Sequence, residues 1–345
     1  MRYAGMIYLV CFCITLLLLL FVVAYEKAID VNIILLMAVV ATGNGGYYAL
    51  TCSHNLEEAI LANNMSYVIA IFAPLILFLI ICNICRVNIP KLASSIMYGI
   101  QIVIYLCACS AGKSDLFYRN VEFYKNGSIA YLVKEYGPLH TLYLAFFILY
   151  TVAGIVVAIY SYNRRTVVSH INIDIILFMD LLVVGVYFIE RFIFLHIELI
   201  PIFLTISIAV ILIPLIKISV FSLHSNQNLL EYKLNKTGYI AFDKRLKFMG
   251  CNDYAKVLFP ELETWELEKK IPAGGGKFNT FLRQPLMKCV ESITSKEKAE
   301  SAYEFRGQKF FYEIMPIYIS GQLLIGYMIL VSHADSYEKK ADLKN

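Results

Sequence analysis

Between Met6 and Leu223 the chain is a succession of apolar runs, each long enough to cross a bilayer, and after Ser225 charged residues become frequent. A spanning helix needs roughly 20 mostly apolar residues, because backbone N–H and C=O groups must pair internally where there is no water. Seven stretches meet that requirement: Met6–Tyr25, Val31–Leu50, Tyr67–Cys85, Leu92–Ala111, Leu139–Tyr162, Ile171–Phe188 and Leu199–Leu223. The first also has the Arg2-then-apolar pattern of a signal peptide, but its small-residue cleavage pattern is poor, which favours a retained helix. Only 16% of the 345 residues are charged, against about 25% in soluble domains. The expected fold class is an α-helical membrane bundle of seven transmembrane helices followed by a C-terminal α+β domain. The expected boundaries are a seven-transmembrane domain at 1–223, a helical linker at 224–237, an α+β domain at 238–333 and a tail at 334–345.

Loop charges set the orientation. With the N-terminus outside, the inner loops hold Lys27, then Arg86 and Lys91, then Arg164 and Arg165, whereas the short outer segments hold only Arg2 and Arg191. An odd number of spans then places the C-terminal domain in the cytoplasm. The longer outer loop, Gly112–Pro138, carries both signs of charge, and within it Val121–Tyr124 and Ser128–Val133 flank Asn126-Gly127. Asn-Gly is the strongest short hairpin signal, so a small β-hairpin is expected there, with Phe123, Tyr124, Ile129, Tyr131 and Leu132 capping the bundle. The net charge of +4 is spread over both halves without a basic stripe for nucleic acid.

Past Gly238 the pattern becomes short strands. Tyr239–Phe242 and Leu246–Met249 flank a polar turn. Asn252 is placed to cap a helix at Asp253–Leu258, and Phe278–Ser292 has helical spacing. Ser301–Phe305, Phe310–Ile319 and Leu323–Val331 are joined by tight turns. The order β-β-α-α-β-β-β predicts a small antiparallel sheet with helices on one face.

Three runs, GYYALTCSHNLEEAILANNMSYVIAIFAPLILF, YLVKEYGPLHTLYLAFFILY and VVGVYFIERFIFLHIELIPI, resemble the bacterial seven-transmembrane sensor region at the N-terminus of some histidine kinases and diguanylate cyclases. That resemblance covers roughly Met1 to Leu223. TGYIAFDKRLKFMGCNDYAKVLFPEL resembles the start of a PAS domain and FYEIMPIYISGQLLIGYMILVSHAD its end, although the usual Asp-Ile-Thr-like closing signature is replaced by His333-Ala334-Asp335-Ser336. In such proteins a PAS domain normally leads to a kinase, diguanylate cyclase or phosphodiesterase. Here no phosphoacceptor-His helix, Gly-rich ATP site or Gly-Gly-Asp/Glu-Glu-Phe loop is found, and Gly274–Gly276 lacks the Gly-Lys-Ser/Thr ending of a phosphate cradle. No enzymatic activity and no cofactor are expected, and the output domain is expected to be missing or separate.

The candidate sensing residues are Glu57, Glu58, His140, Glu190, Arg191 and Tyr187, all at the outer ends of helices, with Tyr47 and Tyr136 as nearby amphipathic walls. A convergent polar rim over an apolar bundle suits a small ligand; the alternative is a solvated rim. Asp180 and Asp174 lie in the sixth span, where charge is costly and suggests function, with hydrogen bonding inside the bundle as the alternative. Cys82 and Cys85 have the spacing of a metal pair but no second pair of ligands, so no metal is expected. A Cys52 disulfide to Cys107 or Cys109 stays open. Leu223, Leu230 and Leu234 suggest a short coiled coil in the linker, with a flexible tether as the alternative. The expected role is a multi-pass cell-membrane receptor module, N-terminus outside and C-terminus cytoplasmic. Its expected partners are an unknown small molecule or membrane signal, a second copy of itself, a cytoplasmic output protein and the lipid bilayer. The competing reading is a transporter or channel with a regulatory domain.

Overall fold

The computed structural model describes residues 4–25, 30–85, 87–126, 129–162, 170–193, 198–221, 237–271, 276–292, 299–319 and 323–333. The described residues up to Ile216 form one compact unit and those after it another. The first contains α1 (Ala4–Tyr25), α2 (Val31–Cys52), α3 (Leu56–Ile84), α4 (Lys91–Ala108), a hairpin of β1 (Tyr118–Asn126) and β2 (Ile129–Tyr136), α5 (Pro138–Tyr162), α6 (His170–Ile193) and most of α7 (Ile200–Phe221). Stretches in α1 to α6 are long and apolar enough to cross a membrane; in α7 the comparable apolar stretch, Ile200–Ile213, is shorter. Large apolar side chains stand exposed along the outer faces, among them Leu17, Leu92 (74% exposed), Val103 and Val156. A contiguous exposed apolar belt of this kind suits lipid rather than water.

Helix α3 begins at Leu56 instead of Tyr67, the expected start of its span. Asn55 caps it by accepting the Glu58 N–H at 2.9 Å. Two polar groups that interrupt its apolar run bond inside the unit: Asn63 Nδ2 donates to the Tyr118 hydroxyl at 3.2 Å, and Ser66 Oγ to the Asn63 carbonyl at 2.8 Å. Lipid offers no hydrophobic force between helices, so association depends on close packing by small residues and on polar links. Both operate here. A Cβ on Gly46 would lie 2.4 Å from the Ser66 amide nitrogen, and one on Gly43 would lie 2.2 Å from the Ile69 side chain, so α2 rests backbone-close on α3. Asn44, fully buried, donates to Thr205 Oγ1 of α7 at 3.0 Å.

The hairpin forms as the Asn-Gly signal predicts and runs longer, with Phe123 opposite Leu132. Phe123 and Leu132 pack against Leu50, Ala59 and Ala62, and Ile129 is buried. Tyr124 departs from the expected capping role. It is exposed, stacks on Tyr131 at 5.8 Å and donates to Glu122 at 2.6 Å, because strand alternation turns it away from Phe123.

The second unit is a five-stranded antiparallel sheet of β3 (Gly238–Asp243), β4 (Phe248–Cys251), β5 (Ala299–Phe305), β6 (Gln308–Ile319) and β7 (Leu323–His333), in the order β4-β3-β7-β6-β5. Between β4 and β5 come α8 (Asp253–Leu258), a 3-10 turn at Pro260–Thr264 and α9 (Gly276–Ser292). Asn252 caps α8 as expected, accepting the Ala255 N–H at 2.9 Å. One sheet face and the helices share an aromatic core around Phe242, Phe259, Trp265, Phe281 and Tyr312. The second strand starts at Phe248, not Leu246. Asp243 Oδ1 accepts the Arg245 and Lys247 N–H groups, and Leu246 takes φ 59° in the resulting turn. The linker at 222–236, with Leu223, Leu230 and Leu234, and the tail from Ala334 lie outside the described residues, as does the Cys289 side chain.

Replacing Gly46 by Leu should lower bundle stability by about 1–3 kcal/mol, the usual range for forced overpacking. Gly99→Leu, at a site with nothing within 4 Å of an added Cβ, should be near neutral. Thermal unfolding of both variants in lipid nanodiscs checks this; equal midpoints would refute the close-contact account.

Candidate functional site

An internal cavity of about 240 Å³ opens among α2, α3, α5, α6, α7 and β2. Its far wall is aliphatic, with Leu36 and Val40 from α2, Leu77 from α3, and Ile208 and Ile211 from α7. Toward the hairpin it becomes aromatic and polar. Tyr47, Tyr67 and Tyr136 line it there, joined by Lys134 of β2, Tyr187 and Glu190 of α6, and Glu198 just before α7. Pro74, inside α3, also faces it.

The sequence places these groups by helix face and strand alternation. Leu132, Lys134 and Tyr136 share one side of β2 because side chains alternate with period two. The Lys134 ammonium stands 5.5 Å from the centre of the Tyr67 ring, a cation–π geometry. Tyr67 meets Phe117 and Tyr118 edge-on at 5.5 and 5.7 Å, at the base of the hairpin. Burial pushes the Tyr118 hydroxyl well above the ordinary tyrosine range, so it stays a neutral acceptor for Asn63. Glu190 Oε1 accepts the backbone N–H of Leu199 and, at 2.9 Å, that of Ile200. It therefore caps α7 from α6, satisfying amides that the first turn of a helix leaves unpaired and opposing the positive end of its dipole. Tyr8 donates to the Glu198 carbonyl at 2.9 Å, and the Tyr47 hydroxyl is directed at the Glu198 carboxylate.

Of the sequence-predicted residues, Tyr187, Glu190 and Asp180 line this cavity, as do the expected wall residues Tyr47 and Tyr136. The expected convergence of the rim is not what the structure shows for the others. Glu57 and Glu58 are exposed, and Glu58 is held locally, accepting the His54 N–H and Asn55 Nδ2, each at 2.8 Å. His140 is 4% exposed and stacks on Tyr136 at 3.8 Å, behind the wall rather than in it. Asp174 is exposed near the start of α6. Arg191 belongs to α6, but its side chain lies outside the described residues. Cys82 and Cys85 are buried thiols, and Cys52, Cys107 and Cys109 are unbridged. Among the described residues, no group of three or more His, Cys, Asp or Glu could hold a metal ion.

The residues that sequence reasoning missed are Lys134, Glu198, Tyr67 and Ser207. Extending the period-two reading of the second hairpin strand past Val133 would have brought in Lys134.

The model of the N-terminal 7TM region of histidine kinase matches residues 7–224. The chain belongs to this family. No curated protein matches it. Membership makes the helical unit a membrane sensory region, and in this sensor region the cavity brings α6 and α7 together beneath the hairpin.

Glu190→Ala should destabilise the start of α7 by about 1 kcal/mol, as loss of a helix cap generally does. Glu190→Gln, which keeps an acceptor oxygen, should recover part of that loss. Thermal unfolding of the two variants distinguishes the cap from a bystander charge: equal stability of Glu190→Ala and the parent chain would rule the cap out.

Proposed function

We propose that this chain is a seven-span membrane receptor that takes a small molecule into the cavity between α2, α3, α5, α6 and α7 and passes the signal through its cytoplasmic α+β domain. The observation that carries this reading is the cavity itself, enclosed in a sensory region and walled by the helix that leads toward the second unit. The signal passes to a cytoplasmic output protein, and the receptor works as a homodimer. The second unit is PAS-like. That assignment draws on its five-stranded antiparallel sheet, its strand order and the helical segments inserted after its second strand.

The proposed orientation has the N-terminus and hairpin outside and Asn345 in the cytoplasm. A C-terminal alkaline phosphatase fusion should then be inactive and a C-terminal green fluorescent protein fusion fluorescent; the opposite pair would sink the topology.

Relay is tested through α7 and the sequence beyond it. Single cysteines at Leu223 should crosslink between copies in native membranes, with an efficiency that changes under at least one of spent medium, altered external pH or altered osmolarity. Ala73→Phe fills the cavity and should abolish that change while the protein still inserts. A response that is intact in Ala73→Phe would remove the cavity from the mechanism, and an unresponsive parent chain would remove the relay.

A further inference from the structure

Among the described residues of the cavity wall, none pairs with Asp180. Asp180 lies about midway along α6, roughly 15 Å from the start of the helix at 1.5 Å per residue. It faces the cavity, and among the described residues it has no hydrogen bond and no ion pair. A carboxylate at such depth in a membrane is costly and is retained where something pairs with it. The neighbouring charges do not. Glu190 is committed to the α7 amides, Glu198 faces Tyr47, and Lys134 sits over the Tyr67 ring. The described wall thus carries three carboxylates against one ammonium. A second polar group points the same way: Ser207 on α7 lines the cavity, is 3% exposed, and its hydroxyl has no hydrogen-bond partner among the described residues.

We infer that the cavity selects a compact organic cation, a protonated amine on an apolar body, with Asp180 as counter-charge and the Ser207 hydroxyl as a further contact. This deepens the sensor reading above and rests on it. The aliphatic wall of Leu36, Val40 and Ile211 takes the apolar body. The aromatic faces of Tyr143, Phe147 and Tyr187 suit an ammonium or its neighbouring carbons. The volume of about 240 Å³ admits one ring with a short arm. An anion would meet the three carboxylates, and a neutral molecule would leave Asp180 unpaired.

The test uses the full chain in nanodiscs of neutral lipid, so that the bilayer does not concentrate cations. Phenethylamine, 2-phenylethanol and 3-phenylpropionate present one ring with a positive, a neutral or a negative arm. Thermal unfolding midpoints and calorimetric titration are read for each. Phenethylamine should stabilise the chain at concentrations at least tenfold below those at which either other probe acts. Asp180→Asn should weaken amine binding at least tenfold and erase the preference, and Ala73→Phe should abolish binding of all three probes. Equal or tighter binding of the alcohol or the carboxylate by the parent chain, blocked by Ala73→Phe, would overturn the cation proposal while leaving the cavity as a ligand site. Amine selectivity that survives in Asp180→Asn would overturn the role of Asp180. Silence of the parent chain toward all three probes would also overturn the proposal, and the crosslinking response of Ala73→Phe would then decide separately whether the cavity senses anything. Parent-chain selectivity is decisive even if Asp180→Asn does not fold.

Discussion

At Gly46 the backbone of α2 comes so near α3 that no side chain fits between Gly46 and the Ser66 amide. Apolar side chains gain little from leaving lipid for one another, so backbone proximity and the dispersion contacts it allows must hold such a pair. The same contact aligns the wall of the cavity. Tyr47 follows Gly46 in sequence, and Leu36 and Val40 lie on α2 below it; Ser66, Ile69 and Ala70 flank the contact on α3. Helices α6 and α7 approach their neighbours less closely, and Gly185 of α6 has open space where a Cβ would be. The cavity is the room left between a tightly joined pair and a looser one.

Polar links tie the looser helices to that frame. Asn44 reaches Thr205, Tyr8 reaches the Glu198 carbonyl, and Glu190 holds the first amides of α7. Each such link inside a membrane bundle contributes on the order of 1 kcal/mol. Helix α7 is therefore located by a few discrete bonds. That differs from the α2–α3 contact, where displacement would mean backbone collision. An element held by separable bonds can have two arrangements of similar energy, which sensing requires.

Much of the frame was legible in the apolar runs, and the hairpin in Asn126-Gly127. The start of α3 was not, because Asn63, Asn64 and Ser66 look like an interruption until Tyr118 is seen to take the Asn63 amide N–H and a helix carbonyl the Ser66 hydroxyl. At the site, sequence position identified an end of the bundle but not a direction. Glu58 and Glu190 are both carboxylates near helix ends. Helix rotation turns one outward to bond at its own cap and the other inward to α7. His140 was legible as a polar residue in that region, yet its ring is spent on Tyr136. Lys134 was visible only as one charge in a mixed loop, since its place depends on strand register. Which polar side chain faces the interior is a tertiary fact, set by how each helix and strand packs on its neighbours.

Glu190 has a double position that gives the cavity mechanical leverage. Its carboxylate lines the cavity and also accepts the amides that begin α7. Coulomb interactions between unit charges are far stronger at low effective dielectric than in water. In the proposed sensor, a charge entering this space would act on Glu190 and, through it, on the first turn of α7. Asp180 stands on the same helix further from the hairpin, so under the proposed binding mode occupancy beside it would load α6 at two levels. Helix α7 is continuous from Ile200 to Phe221 with only Pro201 and Pro214 as prolines, and Pro201 falls in the first turn, where its missing N–H costs nothing. In the proposed relay, displacement at the Glu190 cap would run along a helix whose one interior proline is Pro214, close to where the helical unit ends at Ile216.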